Sequence, residues 1–469
     1  MNDRAATLAP AAIRWTTALI VGLGASGVAA ARLLAALGVR VRAYDRNPEA
    51  ALPDGIADFR GAAEIPDAAL EGVDLVVLSP GVPPESPRAR AREVAPNAQI
   101  TGELGLGLQL VFERAGGPWA PVPVVEITGT NGKSTVTALT GALVREGGLH
   151  PFVGGNLGTP LCAALLEVLD GTTPWFDALV IECSSFQLET LWPVPNAVGM
   201  VLNVTPDHLD RYASLEDYAD TKAAVFRHLP EGALALVDEG GPFTRRMLPA
   251  RPDVRIVTVG EGGSAWVEGT GAGRVLVVPT PDGATERYDR GLLRLPGRHN
   301  ASNAVFALAA ARHLGVNRAA CERGLSAFEG LPHRMVLVRE LDGVKYYDDS
   351  KATNVASALA SLGGLDERFV LIAGGRGKGD DLTPLGEVLR SRGRAIVTIG
   401  ETAEQFAALA EGQVPAVVAG ELVAAIAHAR ALAQPGDAIV LAPACASYDQ
   451  FRSYAHRGDV FAAAVRALT

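Results

Sequence analysis

Cysteine is scarce: Cys162, Cys183, Cys321 and Cys445 are the 4 in a chain of 469 residues. None forms a CxxC pair, which argues against a zinc site of the usual spacing. So few thiols cannot staple a chain this long, and their use fits a reducing cytoplasm. Positive charge is also short. Against 52 Asp and Glu stand 42 Lys and Arg, a formal net charge of −10. An acidic balance repels nucleic acid and anionic membrane, so neither is an expected partner, although a single pocket can still be basic. Charged residues make up only 20% and hydrophobic residues 48%, which excludes general disorder and favours buried cores. No short-period repeat is visible. The uncharged stretch 15–31 follows Arg4 and Arg14 and can be read as an export signal or a membrane helix. Its Gly22, Gly24 and Gly27 suit a strand, turn and helix better. Residues 1–14 have no clear period and read as a loose lead-in.

At roughly 150 residues per domain, the length suggests about three domains. The block 1–117 alternates strand and helix. Leu19-Ile20-Val21 runs into a glycine turn at 22–27, then a helix from Ser26 with Leu33, Leu34 and Leu37 on one face, stopped by Gly38. Strands follow at Val41–Asp45 and Leu75–Leu78. Gly116, Gly117 and the prolines at 118, 121 and 123 make a linker. The block 118–325 opens with the strand 124–127, has strands near 178–182, 197–203, 233–237, 255–259 and 274–278, and ends in a helix at about 300–314. There Ala304, Val305, Leu308 and Ala311 recur at helical spacing before Gly315. The block 326–469 has short buried strands at 344–347, 369–373, 395–399, 415–418 and 438–441. The expected fold class is α/β in three domains, each a mainly parallel sheet flanked by helices: Rossmann-like first and last domains around a P-loop-type central one.

The energy source is written in Thr128-Gly129-Thr130-Asn131-Gly132-Lys133-Ser134-Thr135, which follows an apolar strand and precedes a helical stretch. Backbone N–H groups at such a helix start point at phosphate oxygens, and glycines let the chain come close. Lys133 supplies a point charge for the β and γ oxygens, and Ser134 a hydroxyl for Mg²⁺. The match to the common loop is incomplete, because that pattern wants glycine where Ile127 stands. The glycines at 22–27, with Asp45 further along, leave three readings open: a dinucleotide fingerprint, tight strand-to-helix packing, or a pocket for another diphosphate. Glu182 ends the strand 178–181, where a carboxylate beside a phosphate loop suits Mg²⁺ or caps a helix. His208 lies among loop acids in Asn203–Asp210. Lys222, on a helical stretch, reads from spacing alone as a solvated lysine.

These residues carry a resemblance. GTNGKST at 129–135, ECSSFQLE at 182–189, NVTPDHLDRY at 203–212, LPGRHNASN at 295–303, DDSKATN at 348–354 and PACASYDQF at 443–451 are similar to the motifs of the Mur ligases of peptidoglycan synthesis, in order over nearly the whole chain. The resemblance implies an ATP-dependent ligase that activates a carboxylate as an acyl phosphate and joins it to an amine. The segments 348–354 and 443–451 narrow this to D-glutamate as the amine and UDP-N-acetylmuramoyl-L-alanine as the acid, handled by a cytoplasmic monomer. It implies that Gly129, Thr130, Asn131, Gly132, Lys133, Ser134 and Thr135 hold the ATP phosphates, that Asn300 and Asn303 contact adenine, and that Asp349 contacts ribose. Arg334 would lie near the transferred phosphate. Two Mg²⁺ ions would rest on Ser134, Glu182, His208 and Lys222, with Lys222 carrying a carbamate formed from CO₂. Lys133, His208, Lys222 and Arg334 would be the catalytic set. Ser26, Asp45, Arg46 and Gly81 would hold the UDP, displacing the dinucleotide reading, and Asn156 would contact the muramoyl group. Lys351, Thr353, Lys378, Ser447 and Tyr454 would form the pocket for the amino acid. Tyr454 stands where some members have phenylalanine, and Cys183 stands where leucine is more usual.

Overall fold

The computed structural model describes residues 13–113, 122–208, 211–269, 273–295, 297–365, 367–377 and 379–469. Most of the expected lead-in, the linker around 116–121 and Lys378 lie outside the described residues. The chain divides into two compact units. One runs to Leu292 and includes Ser302–Ser326; the other is Leu293–Ala301 with Ala327–Thr469.

The first unit holds two parallel sheets. In one, β1 (Thr17–Val21), β2 (Arg40–Tyr44), β3 (Ala57–Asp58), β4 (Leu75–Leu78) and β5 (Gln99–Gly102) lie in the order β3-β2-β1-β4-β5. In the other, β6 (Val124–Thr128), β7 (Pro151–Gly155), β8 (Ala178–Glu182), β9 (Val198–Val201), β10 (Leu234–Asp238) and β11 (Arg255–Val259) lie in the order β11-β10-β9-β6-β8-β7. β1, β4, β6 and β8 are buried at every residue, because helices cover both faces of a parallel sheet. That is why they read as mainly apolar runs, with Glu126 inside β6 and Glu182 at the end of β8. A three-stranded antiparallel sheet follows: β12 (Trp266–Glu268), β13 (Val275–Pro279) and β14 (Thr285–Asp289).

One apolar core runs between the two parallel sheets. Leu33 and Leu34 of the helix Ala25–Ala36, Leu104 and Leu108 of Glu103–Glu113, and Leu161 and Leu165 of Leu161–Leu169 all belong to it. The uncharged stretch 15–31 is therefore a strand, a turn and the start of a helix. Among the described residues no helix is long and apolar enough to cross a membrane.

The second unit carries a six-stranded sheet. β15 (Val336–Leu341), β16 (Val344–Asp348), β17 (Phe369–Gly374), β18 (Gly393–Ile399), β19 (Ala416–Gly420) and β20 (Ala438–Leu441) lie in the order β15-β16-β20-β17-β18-β19. Only the β15–β16 pair is antiparallel.

The α/β class with mainly parallel, helix-flanked sheets holds. The departures are at the edges. β3, β5, β7 and β15 gave no clear strand signal, and each is an edge strand of its sheet. An edge position needs fewer apolar residues, and Pro151 with the two glycines ending β7 reads locally as a turn. The strand expected at 274–278 is β13 and belongs to the antiparallel sheet, not to the parallel sheet beside it. The helix expected at about 300–314 is Arg298–His313, with Ala304, Val305, Leu308 and Ala311 wholly buried.

Candidate active site

In parallel α/β sheets ligands bind beyond the carboxyl ends of the strands, and the expected site residues gather there in each unit. After β1, Gly22 takes φ +90°, and a methyl group on Gly27 would strike the Gly22 carbonyl. Only glycine lets this helix start so close to the strand. Asp45, past the end of β2, accepts the Leu23 N–H at 2.7 Å and the Asn47 N–H at 2.8 Å. A cavity of about 330 Å³ opens beside this turn, lined by Asp45, Arg46 and Gly81 together with Tyr44, Ser86 and Pro87. Ser26 stands in the first turn of the adjacent helix and is not part of that lining. Asn156 is elsewhere, at the end of β7.

After β6 the chain turns through Gly129 (φ +149°) and Gly132 (φ +85°) into the helix Lys133–Glu146. Gly132 is the N-cap and has no side chain to cap the first amides, and the start of a helix favours an anion. A β-carbon there would lie 2.7 Å from Asn303 Oδ1, so Asn303 packs directly on the loop. The loop is stitched to the segment after β9. Asn131 N–H donates to Asn203 Oδ1 at 2.8 Å, Thr130 N–H to Asn203 O at 2.9 Å, and the Thr130 hydroxyl to Thr205 O at 3.1 Å. Ser134 and Thr135 are buried at the helix start.

Two ammonium groups converge on one carbonyl. Lys133 Nζ donates to Gly129 O at 2.8 Å and Thr130 O at 2.7 Å, and Lys222 Nζ donates to the same Gly129 O at 2.9 Å. Spacing alone made Lys222 solvated; in the fold it is 1% exposed and sits 4.2 Å over the Tyr218 ring. The helix Leu215–Lys222 directs its Tyr218, Ala219 and Lys222 inward. Burial, and then the nearby Lys133 charge, hold the Lys222 amine well below the usual lysine range. An amine held this way is a nucleophile at lower pH than an exposed lysine.

Glu182 ends β8, paired with Ile127 of β6 two residues before Gly129. Its Oε1 accepts Asn156 Nδ2 at 2.7 Å, and its Oε2 is buried with no hydrogen-bond partner. It is not a helix cap, because Ser184 and Gln187 close the next helix with a reciprocal capping box. A buried carboxylate oxygen left open beside a phosphate loop is what a divalent cation would take. His208 has φ +55°, its ring 4.9 Å from Phe186, and Nε2 3.6 Å from Asp207 Oδ2. Among the described residues no three His, Cys, Asp or Glu side chains cluster as a cation site. The donors present fit Mg²⁺ only if other oxygens complete the shell.

In the second unit, the loops after β16 and β20 meet the helix Tyr454–Arg466. Asp349 is buried, with Oδ1 accepting Met335 N–H at 3.2 Å, and burial pushes its carboxyl up to about 7 against the pull of the Arg334 charge. Lys351 Nζ stands 3.9 Å over the Tyr454 ring. Ser447 is buried, and Thr353 N–H donates to Lys351 O at 2.8 Å. Asn300 is buried in the first turn of its helix. Two residues here had escaped the motif reading. His333 Nδ1 lies 2.7 Å from Asp348 Oδ2. Arg457, wholly buried, donates to the Ser350 hydroxyl and carbonyl at 2.9 Å each and to Cys445 O at 3.1 Å. Asp348 opens the segment DDSKATN, but nothing local marks an arginine in a helix as buried.

Family models match along the chain: "Mur ligase MurD-like, N-terminal domain" at 16–102, "Mur ligase middle domain" at 127–311, and "Mur ligase, glutamate ligase domain" at 333–445. A protein of Anaeromyxobacter dehalogenans named UDP-N-acetylmuramoylalanine–D-glutamate ligase is 43% identical, covering 96% of this chain and 97% of its own. A protein of the same name from Aromatoleum aromaticum is 40% identical over the same shares. Among solved structures, UDP-N-acetylmuramate-alanine ligase of Thermotoga maritima shares the fold with a TM-score of 0.58 at 16% identity, covering 97% of this chain and 100% of its own. Folylpolyglutamate synthase of Mycobacterium tuberculosis, in complexes with ADP and AMPPCP, has a TM-score of 0.57 at 18% identity, covering 78% and 96%.

Proposed function

The chain belongs to the Mur ligase family, and from that footing we propose that it joins D-glutamate to UDP-N-acetylmuramoyl-L-alanine at the expense of ATP, in cytoplasmic peptidoglycan precursor synthesis. The choice of substrates rests on the named relatives, which match over 96% of the chain. The chemistry rests on one observation: Lys133 and the buried Lys222 both donate to Gly129 O in the glycine turn after β6, and Glu182, with an oxygen left open, ends the neighbouring strand β8 opposite Ile127.

The acid substrate and ATP are both anionic where they must react. Two unit charges 4 Å apart repel by about 4 kcal/mol at an effective dielectric near 20. Lys133 offsets part of this from the phosphate side, and the helix start after Gly132 directs backbone N–H groups at the phosphate oxygens. The terminal alanine carboxylate then attacks the γ-phosphorus of ATP, the bond to the β-phosphate oxygen breaks, and an acyl phosphate and ADP result. The D-glutamate amine attacks that carbonyl, and phosphate leaves. Ser134, Glu182, His208 and Lys222 are the residues that would hold Mg²⁺, which supplies charge neutralisation at the transferred phosphate. A lysine ammonium cannot ligate a cation, whereas a carbamate on Nζ has two hard oxygens. The depressed basicity of Lys222 favours the free amine that reaction with CO₂ requires. Arg334 and Asp349 serve the nucleotide, Lys351, Thr353, Lys378, Ser447 and Tyr454 the amino acid, and the cavity beside Asp45, Arg46 and Gly81 the UDP, with Ser26 and Asn156 contacting that same substrate. We read the three large sheets as three domains with boundaries near 117 and 325, and the active species as a monomer.

The test is phosphate release with ATP, UDP-N-acetylmuramoyl-L-alanine and each candidate amino acid in turn. Release with D-glutamate alone is expected. Equal release with L-glutamate, or release requiring a folate in place of the UDP substrate, overturns the assignment and favours a folylpolyglutamate-type ligase. Stripping CO₂ from the buffer should lower the rate, and bicarbonate should restore it; an indifferent rate would remove the carbamate from this reading.

A further inference from the structure

Glu189 closes the short helix Ser185–Leu188, and both oxygens of its carboxylate are engaged. Arg211 grips it with Nη2 at 2.5 Å from Oε2 and Nε at 3.2 Å from Oε1, while the Tyr212 hydroxyl donates to Oε1 at 2.6 Å. Both ends of the Arg211 pair are only 16% exposed, so the bridge is worth more than a surface pair. The same two residues close a turn on His208: Arg211 N–H and Tyr212 N–H donate to His208 O at 3.0 and 3.2 Å. Arg211 also lies 4.1 Å over the Phe186 ring, which packs 4.9 Å from the His208 ring.

His208 has φ +55°, a conformation that an L-residue holds only when its surroundings over-determine it. The Arg211 and Tyr212 N–H groups and the Phe186 ring contact His208, and Glu189 holds the side chains of Arg211 and Tyr212. Glu189 is in turn anchored to the first sheet's side of the unit: Arg88 Nη2 donates to its carbonyl at 2.8 Å, and Gly102 N–H donates to the next carbonyl, Thr190 O, at 3.0 Å. We propose that Glu189 is a positioning residue, which sets the His208 ring for cation binding by clamping Arg211 and Tyr212. The inference rests on His208 being a cation ligand.

The test uses Mn²⁺ as the probe, followed by electron paramagnetic resonance in the presence of a non-hydrolysable ATP analogue, with the full chain. His208→Ala should lose or strongly weaken one class of bound Mn²⁺. Glu189→Gln, nearly isosteric but unable to hold the Arg211 charge, should weaken that same class by about 10- to 100-fold and leave the other unchanged. In the double variant the loss should equal that of His208→Ala alone, because Glu189 acts only through the histidine. In steady state, Glu189→Gln should lower kcat with little change in KM for ATP. Tyr212→Phe removes one of the two donors and should give a smaller loss in the same class, which keeps the test available if Glu189→Gln folds poorly. Unchanged Mn²⁺ binding in folded Glu189→Gln and Tyr212→Phe, or losses that multiply in the double variant, overturns the inference. If His208→Ala itself leaves Mn²⁺ binding intact, it is the assignment of His208 that fails.

Discussion

Replacing Glu182 by Gln should stabilise the protein without magnesium and destabilise it, relative to the parent, with magnesium. The carboxylate has Oε1 bonded to Asn156 and Oε2 buried with no partner. A buried polar group left unsatisfied costs about 1–3 kcal/mol, and more when charged. Glutamine keeps an oxygen for Asn156 and replaces the charged orphan by a neutral amide N–H, which is still unpaired and so recovers only part of that cost. A net gain of about 1 kcal/mol is expected, and at about 2–4 °C per kcal/mol for a large domain that is a small rise in Tm. With Mg²⁺ and ATP analogue at about one hundred times the Kd, the parent gains about 2.7 kcal/mol from binding. If the substitution weakens binding about 100-fold, only about 0.4 kcal/mol of that gain remains. The ligand-induced Tm shift should therefore shrink by about 5–9 °C, while the ligand-free Tm rises. Thermal unfolding of both proteins with and without Mg²⁺ and analogue measures all four values. Equal ligand shifts in the two proteins would refute the cation site. A fall in the ligand-free Tm would refute the reading of Oε2 as an uncompensated buried oxygen.

Gly132→Ala should raise KM for ATP at least tenfold and lower Tm, because a non-glycine residue at φ +85° costs about 1–2 kcal/mol and its methyl group would sit 2.7 Å from Asn303 Oδ1; an unchanged KM would mean that the turn does not carry the phosphates. Glu126, buried in β6 with Asn196 Nδ2 at 3.2 Å, has its carboxyl raised from 4.5 to about 8 by burial. The folded state thus keeps a proton that the unfolded state releases, and stability should fall as pH climbs from 4.5 to about 8, by at most about 1.4 kcal/mol per pH unit. Urea midpoints across that range should fall less steeply in Glu126→Gln, and parallel profiles would contradict the assignment. Lys351→Met should raise KM for the amino acid by about 10- to 100-fold, the worth of a charged hydrogen bond, while KM for ATP stays put; an equal rise in both would place Lys351 outside the amino-acid pocket.

Features legible in the sequence were those that local chemistry dictates. Val124–Thr128 is apolar but for Glu126 and Thr128, which reads as an inner strand, and GTNGKST after it reads as a glycine turn into a helix. The central strands of every sheet could be read for the same reason, while β3, β5, β7 and β15 could not, since an edge strand need not be apolar. The likeness of six motifs to one family implies roles for distant residues that no spacing rule connects. Tertiary structure alone decided the rest. Lys222 has an unremarkable helical neighbourhood, and only the packing of its helix beneath the phosphate loop buries it and lowers its basicity. The open oxygen of Glu182 depends on Asn156 at the end of a different strand, and the clamp on His208 depends on Glu189 meeting Arg211 across 22 positions. Sequence pattern records the preferences of a residue and its near neighbours along the chain. Burial, charge and partner count are set by which distant segments the sheet order brings together.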